Sequence, residues 1–159
     1  MIDKKTLEAY ATIMNKVFFD NLLEVPAIVL VNNKSYWGKY WPPSHTFTYL
    51  PNGTRKDVKF RPSKIVINTD GPHPLSTLLH ELVHVWQYKT CCAQHGFGTW
   101  HDRNFQKMAR KVGICEHPYS YHRDTNREKL HEEHLSNILL ERKDPPATHH
   151  RIYHQVALF

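Results

Sequence analysis

The chain has 159 residues, a formal net charge of +6 with its 13 histidines counted neutral, and three cysteines. That length suits one domain with a sizeable core, and the absence of any apolar run of about eighteen residues excludes an obvious transmembrane helix. Cys91 and Cys92 are adjacent and Cys115 stands alone, which argues against a disulfide framework and a C-x-x-C zinc ribbon and for a reducing, cytoplasmic or otherwise intracellular compartment. Met1-Ile2-Asp3-Lys4-Lys5 lacks the apolar block of a secretory signal.

In chain order, residues 4–19 read as a helix with Leu7, Tyr10, Ala11, Met14, Val17 and Phe18 as its buried stripe. Residues 27–31 are a short apolar, β-branched run and read as a buried strand. Asn32-Asn33-Lys34 signals a turn, and residues 36–40 read as the return strand of a hairpin that Trp41-Pro42-Pro43 breaks. Residues 46–50 read as a further strand, closed by Pro51-Asn52-Gly53. Arg55, Lys56, Lys59, Arg61 and Lys64 then crowd one short segment. Residues 64–68, with Ile65, Val66 and Ile67, form the last expected strand.

Pro72 and Pro74 precede a helix of about 15 residues, on which Leu75, Leu78, Leu79, Leu82, Val83 and Trp86 make one continuous core stripe. Within it lies His80-Glu81-Leu82-Val83-His84, an H-E-x-x-H motif. Helix residues four apart differ by about 40° in direction and about 6 Å in height, so two imidazoles at that spacing can grip one ion. Glu81 lies about 100° round the helix, where it can reach a water on the metal without ligating it. That is the arrangement for metal-assisted peptide hydrolysis.

Residues 90–100 read as a loop, 102–112 as a helix ended by Gly113, and 125–141 as a further long helix. Arg103, Lys107, Arg110 and Lys111 share one face of the helix at 102–112, opposite Phe105, Met108, Ala109 and Val112. The basic face is either a solvated surface or one that contacts phosphates. His131-Glu132-Glu133-His134 reads as a solvated face, and Trp37, Trp41, Trp86 and Trp100 as core or pocket wall. Residues 1–144 are expected to form one domain and 145–159, beginning at Pro145-Pro146, a loosely packed C-terminal tail. The expected fold class is α+β, a small, mainly antiparallel sheet packed on the H-E-x-x-H helix and two or three further helices.

A catalytic zinc site needs three protein ligands and an open position. Gln87 and Thr90 stand where H-E-x-x-H-x-x-G-x-x-H would require glycine and histidine, which excludes that class. His95 and His101 are the downstream candidates, with Glu116 a weaker one. Residues 78–87 (LLHELVHVWQ), followed by a loop and by Trp100-His101-Asp102-Arg103-Asn104-Phe105, resemble the signature of SprT-like zinc metallopeptidases, the group that includes the Spartan proteases. That family places an aromatic four positions after its third histidine, as Phe105 follows His101. Weaker likenesses in Asn15–Leu23, Tyr36-Trp37-Gly38 and residues 64–68 extend it over about residues 7–114.

The resemblance implies a minimal zincin-like domain with Zn2+ on His80, His84 and His101 and Glu81 as general base. Departures are Asp102 where the family often has glycine, a competing His95-Gly96 pair, and no cysteine-rich ribbon. Asp102 is either a helix N-cap or a partner for a ligand's second nitrogen. The expected function is zinc-dependent hydrolysis of a protein or peptide substrate, extending to DNA-associated proteins through the basic surface, with no membrane partner. The alternatives are a non-cleaving zinc-containing module that binds nucleic acid or protein, and a metal-dependent hydrolase with a non-protein substrate. An exposed strand before the metal helix would bind extended peptide by strand addition.

Overall fold

The computed structural model describes residues 2–32, 35–92, 101–114 and 125–141. Asp3 opens helix α1 (Lys4–Phe19) by accepting the Thr6 N–H at 2.8 Å. Leu7, Ala11, Met14 and Val17 are buried as the periodicity requires, while Tyr10 and Phe18 are half-buried. Phe19 is the deeply buried aromatic instead, because the Leu22 N–H bonds its carbonyl at 2.8 Å and folds the exit back over that side. Asp20 and Asn21 make this exit with φ of 53° and 57°, a left-handed conformation that Asp and Asn tolerate. Buried Asn15 ties it down, donating to the Leu23 carbonyl at 2.8 Å and accepting the Leu23 N–H at 3.1 Å.

Strands β1 (Ala27–Val31), β2 (Gly38–Trp41) and β5 (Lys64–Asn68) form one sheet in the order β1-β5-β2. The expected hairpin between the first two strands does not form. β1 pairs with β5 in parallel and β2 pairs with β5 antiparallel. The sheet is therefore mixed rather than mainly antiparallel. The apolar run Ile65-Val66-Ile67 explains it, since side chains buried on both faces suit a central strand. β5, the strand before the metal helix, is thus paired on both sides and has no edge to offer. Among the described residues the free edges of this sheet belong to β1 and β2.

Between β2 and β5 the chain makes an antiparallel ribbon, β3 (Ser44–Tyr49) and β4 (Arg55–Arg61). The basic segment is thus a strand, which its polar composition concealed. Trp41 pairs with Lys64 and Ser44 with Arg61, so β2–β3 and β4–β5 continue as one long arm interrupted where Pro42-Pro43 faces Pro62-Ser63. Gly53, with φ of 78°, makes the turn at its tip. Trp41 is 45% exposed, and Phe60 and Tyr49 more so, which removes Trp41 from the expected core.

Helix α2 (Pro74–Gln87) begins with proline at its first position. Every residue from 75 to 85 except Ser76 is buried, because α1, β2, β5, α3 (Arg103–Lys111) and α4 (Thr125–Glu141) all pack on it. A π-helical turn (Tyr88–Cys92) follows α2. Lys107, Arg110 and Lys111 are exposed with Arg103 on α3, while Phe105, Met108 and Ala109 are buried, so its amphipathic reading holds. No helix among the described residues is long and apolar enough to cross a membrane. Over the described residues the chain is α+β, with a small mixed sheet, a two-stranded ribbon and four α-helices. His95, Trp100, Cys115, Glu116 and the tail at 145–159 lie outside the described residues.

The expected solvated face on α4 is only half solvated. Glu133 and His134 are exposed, but His131 and Glu132 turn onto α2. The Glu132 carboxylate accepts the backbone N–H groups of Leu75 and Ser76 at 2.8 and 2.7 Å, and His131 Nδ1 lies 2.8 Å from Ser76 Oγ. The His73 position at the helix start supplies no side-chain cap, so a residue from α4 fills that role and its charge complements the helix N-terminus. Burial, with a smaller contribution from neighbouring His134, depresses the His131 pKa to about 4, against an opposing backbone hydrogen bond at Val112.

Two outcomes follow for chelator-treated protein. Glu132→Ala leaves two helix N–H groups without their carboxylate and should lower unfolding stability by about 1–2 kcal/mol in urea titrations at pH 7. Because His131 is held neutral, its contribution is complete above about pH 6.5 and is lost as the pH falls toward 4. It amounts to at most about 3 kcal/mol. His131→Gln should flatten that decline, which urea midpoints at pH 7, 5.5 and 4 would show.

Candidate metal centre

Helix α2 delivers His80 and His84 to the same side, and both are buried. His101 comes from the residue before the N-cap of α3, and it is exposed. Asp102 is that cap: its carboxylate accepts the N–H groups of Asn104 and Phe105, each at 2.9 Å. Of the two roles open to Asp102, the cap is the one these contacts show. By starting the helix at a fixed residue it also fixes where His101 stands, and Gln106 Nε2 reinforces this by donating to the His101 carbonyl at 3.2 Å.

The three imidazoles converge. One ring nitrogen from each of His80, His84 and His101 lies within 4.8 Å of the others. His80 Nε2 and His101 Nε2 are 3.2 Å apart. A tetrahedral ion with metal–nitrogen bonds of about 2.0–2.1 Å holds its donors about 3.3–3.4 Å apart, so that spacing fits a shared cation. His84 Nδ1 lies 3.3 Å from Gln87 Oε1. An amide oxygen only accepts, so Nδ1 carries the hydrogen and Nε2 keeps the lone pair a metal needs.

Phe105 forms the floor. Its fully buried ring has centroids of His80, His84 and His101 at 5.0, 4.4 and 4.5 Å. An apolar ring under all three imidazoles keeps water from that side. Burial foremost, then the proximity of His80 and His101, drives the His84 pKa down to about 2. His84 is thus neutral across the physiological range, which is the form that ligates. Three nitrogen donors, two of them buried and one at the surface, can hold a metal ion and leave a coordination position open.

Glu81 is buried against β2. A Cβ built on Gly38 would sit 2.8 Å from Glu81 Oε1 and 2.5 Å from Thr77 Cγ2. No real side chain packs that closely, so glycine is what lets the strand backbone pass directly over the carboxylate. The sequence brought His80, Glu81, His84 and His101 forward as site residues, and the fold gathers the three histidines and stations Glu81 under Gly38. In the sequence Gln87 serves to exclude the H-E-x-x-H-x-x-G-x-x-H spacing and Phe105 to mark the distance from His101; neither reveals the role its geometry gives it.

No protein-family model matches this chain, and no curated protein or solved structure does either.

Metal content after dialysis, measured by mass spectrometry, should fall to background in His80→Ala, His84→Ala and His101→Ala. Gln87→Ala should weaken metal affinity about 10–100-fold with circular dichroism unchanged. Full metal retention by His101→Ala would move the third donor to His95 or Glu116.

Proposed function

We propose that this chain is a zinc-dependent endopeptidase of SprT-like type on a minimal zincin-like fold. The observation that carries the reading is the set of three convergent imidazoles on His80, His84 and His101, two of them on the same helix as the buried carboxylate of Glu81. All-nitrogen donor sets of three with an open position are the hallmark of catalytic rather than structural zinc. When bound, zinc would supply a Lewis acid for the peptide carbonyl and lower the pKa of water toward about 7.

The remaining steps belong to the protein. Glu81 accepts the proton of the attacking water and returns it to the leaving amine. Gln87 holds His84 in the ligating tautomer, and Phe105 fixes the imidazole planes. The substrate lies extended on β2, whose outer edge is unpaired among the described residues and whose Gly38 borders Glu81. Main-chain hydrogen bonds along that edge would align the scissile bond. The exposed cations of α3 begin two residues beyond His101, so DNA held there would bring its associated proteins beside the site.

Glu81→Gln should retain zinc yet lose at least about 100-fold in hydrolysis of an unfolded protein such as casein. Undiminished cleavage by that variant would remove Glu81 from the mechanism. A zinc-loaded wild type that cleaves no protein would make the chain a binding module instead.

A further inference from the structure

The outer edge and outer face of β2 carry a second message. The Asn68 N–H bonds the Trp37 carbonyl at 2.8 Å, and Gly38, Lys39, Tyr40 and Trp41 pair with Ile67, Val66, Ile65 and Lys64. In an antiparallel ladder, alternate residues direct their N–H and C=O to the partner strand. With Trp37 bonded to β5, residues 39 and 41 follow it, and Gly38 and Tyr40 direct their amides to the free edge. The same alternation divides the side chains: Tyr40 is buried on the α2 side with Gly38, while Lys39 and Trp41 stand on the other face and are exposed.

On that outer face the charge is one-sided. Lys39 Nζ is 4.4 Å from the Trp41 ring centroid, and Lys64 Nζ is 5.8 Å from it. Both lysines are exposed, and neither has a carboxylate partner among the ion pairs found in the described residues. The run from Gly38 to Asn68 contains six Lys or Arg and a single acidic residue, Asp57, so the field along this arm is positive throughout. Lys59 and Arg61 extend it on the adjoining ribbon.

We infer that this protein selects extended peptide segments with acidic side chains at alternate positions, read by Lys39, Trp41 and Lys64 while the backbone pairs with Gly38 and Tyr40. The inference rests on the peptidase reading for its meaning as substrate choice. Side chains opposite each other on neighbouring strands have Cβ atoms about 4.5–5.5 Å apart. A strand added to β2 therefore puts every second side chain beside Lys39 or Trp41, and the intervening ones toward α2 and Glu81. An acid beside Lys39 gains a charge partner. Two positions on, a second side chain lies on the Trp41 ring, toward which Lys64 extends its Nζ from β5 on the far side of β2. Charge alone would attract any polyanion, but an edge left unpaired among the described residues, whose Gly38 borders Glu81, favours an extended peptide backbone.

The test uses the full-length Glu81→Gln chain, so that binding is read without turnover. Fluorescein-labelled peptides of five Glu-Thr, Gln-Thr or Lys-Thr repeats are titrated by fluorescence anisotropy. The Glu-Thr peptide should bind at least about 10-fold more tightly than Gln-Thr. That ratio should fall below about 2 in Lys39→Glu/Lys64→Glu, and methylating alternate amides of the Glu-Thr peptide should weaken binding. Equal affinity for the Glu-Thr and Gln-Thr peptides overturns the inference, as does a preference that survives the double reversal. Tighter binding of a thymidine 20-mer, lost with the same two lysines, also overturns it by making the patch a nucleic-acid surface. Casein cleavage by the chain with Glu81 intact is measured separately, so failure of this selectivity and failure of the peptidase reading give different results.

Discussion

Burial of α2 is the constraint on which the rest depends. A helix covered by three helices and two strands would ordinarily be wholly apolar, yet this one takes His80, Glu81, His84 and Gln87 inside with it. Buried polar groups are tolerated when they find partners. Here the partners are one another: His84 meets Gln87, the imidazole rings pack edge-on or stacked at centroid distances of 4.9–5.1 Å, and Phe105 closes the set from below. The same burial that would penalise charged imidazoles keeps the His84 nitrogen ready for a cation. Core packing and ligand preparation are one phenomenon in this helix.

The sheet serves that helix more than it serves itself. Among the described residues β5 is the only strand with neighbours on both sides, and its apolar run packs against α2. β2 is short and carries glycine where a strand usually wants bulk. The glycine makes sense only from the other side of the contact, where Thr77 and Glu81 occupy the space a side chain would take. A position that weakens the strand is thus what allows sheet and helix to approach at the carboxylate.

Much of this was legible in the sequence, and what was not has physical reasons. Helices with an apolar stripe, at Lys4–Phe19, Pro74–Gln87 and Arg103–Lys111, declared their type and nearly their ends, because periodicity is a local property. His101 emerged through the aromatic at Phe105. Strand partners did not emerge: the Asn-rich turn after β1 looked like a hairpin, whereas β1 and β2 both pair with β5, a contact decided by burial on two faces rather than by the turn. β4 was hidden by its cations, since a ribbon that packs little on the body shows no apolar alternation. Glu132 and His131 sat in a charged run with every mark of solvent exposure, and only the uncapped start of α2, 56 to 57 residues earlier, reveals their use.

That long-range cap has a consequence for the order of assembly. A nascent chain emerging from the ribosome would hold H-E-x-x-H and its floor well before Glu132 is synthesised. Until the final helix docks, Leu75 and Ser76 have no carboxylate to accept their amide hydrogens, and the first turn of the metal helix is free to fray. Completion of the histidine cluster is thereby tied to translation through α4, so the three imidazoles are held together only once the fold that restrains them is in place.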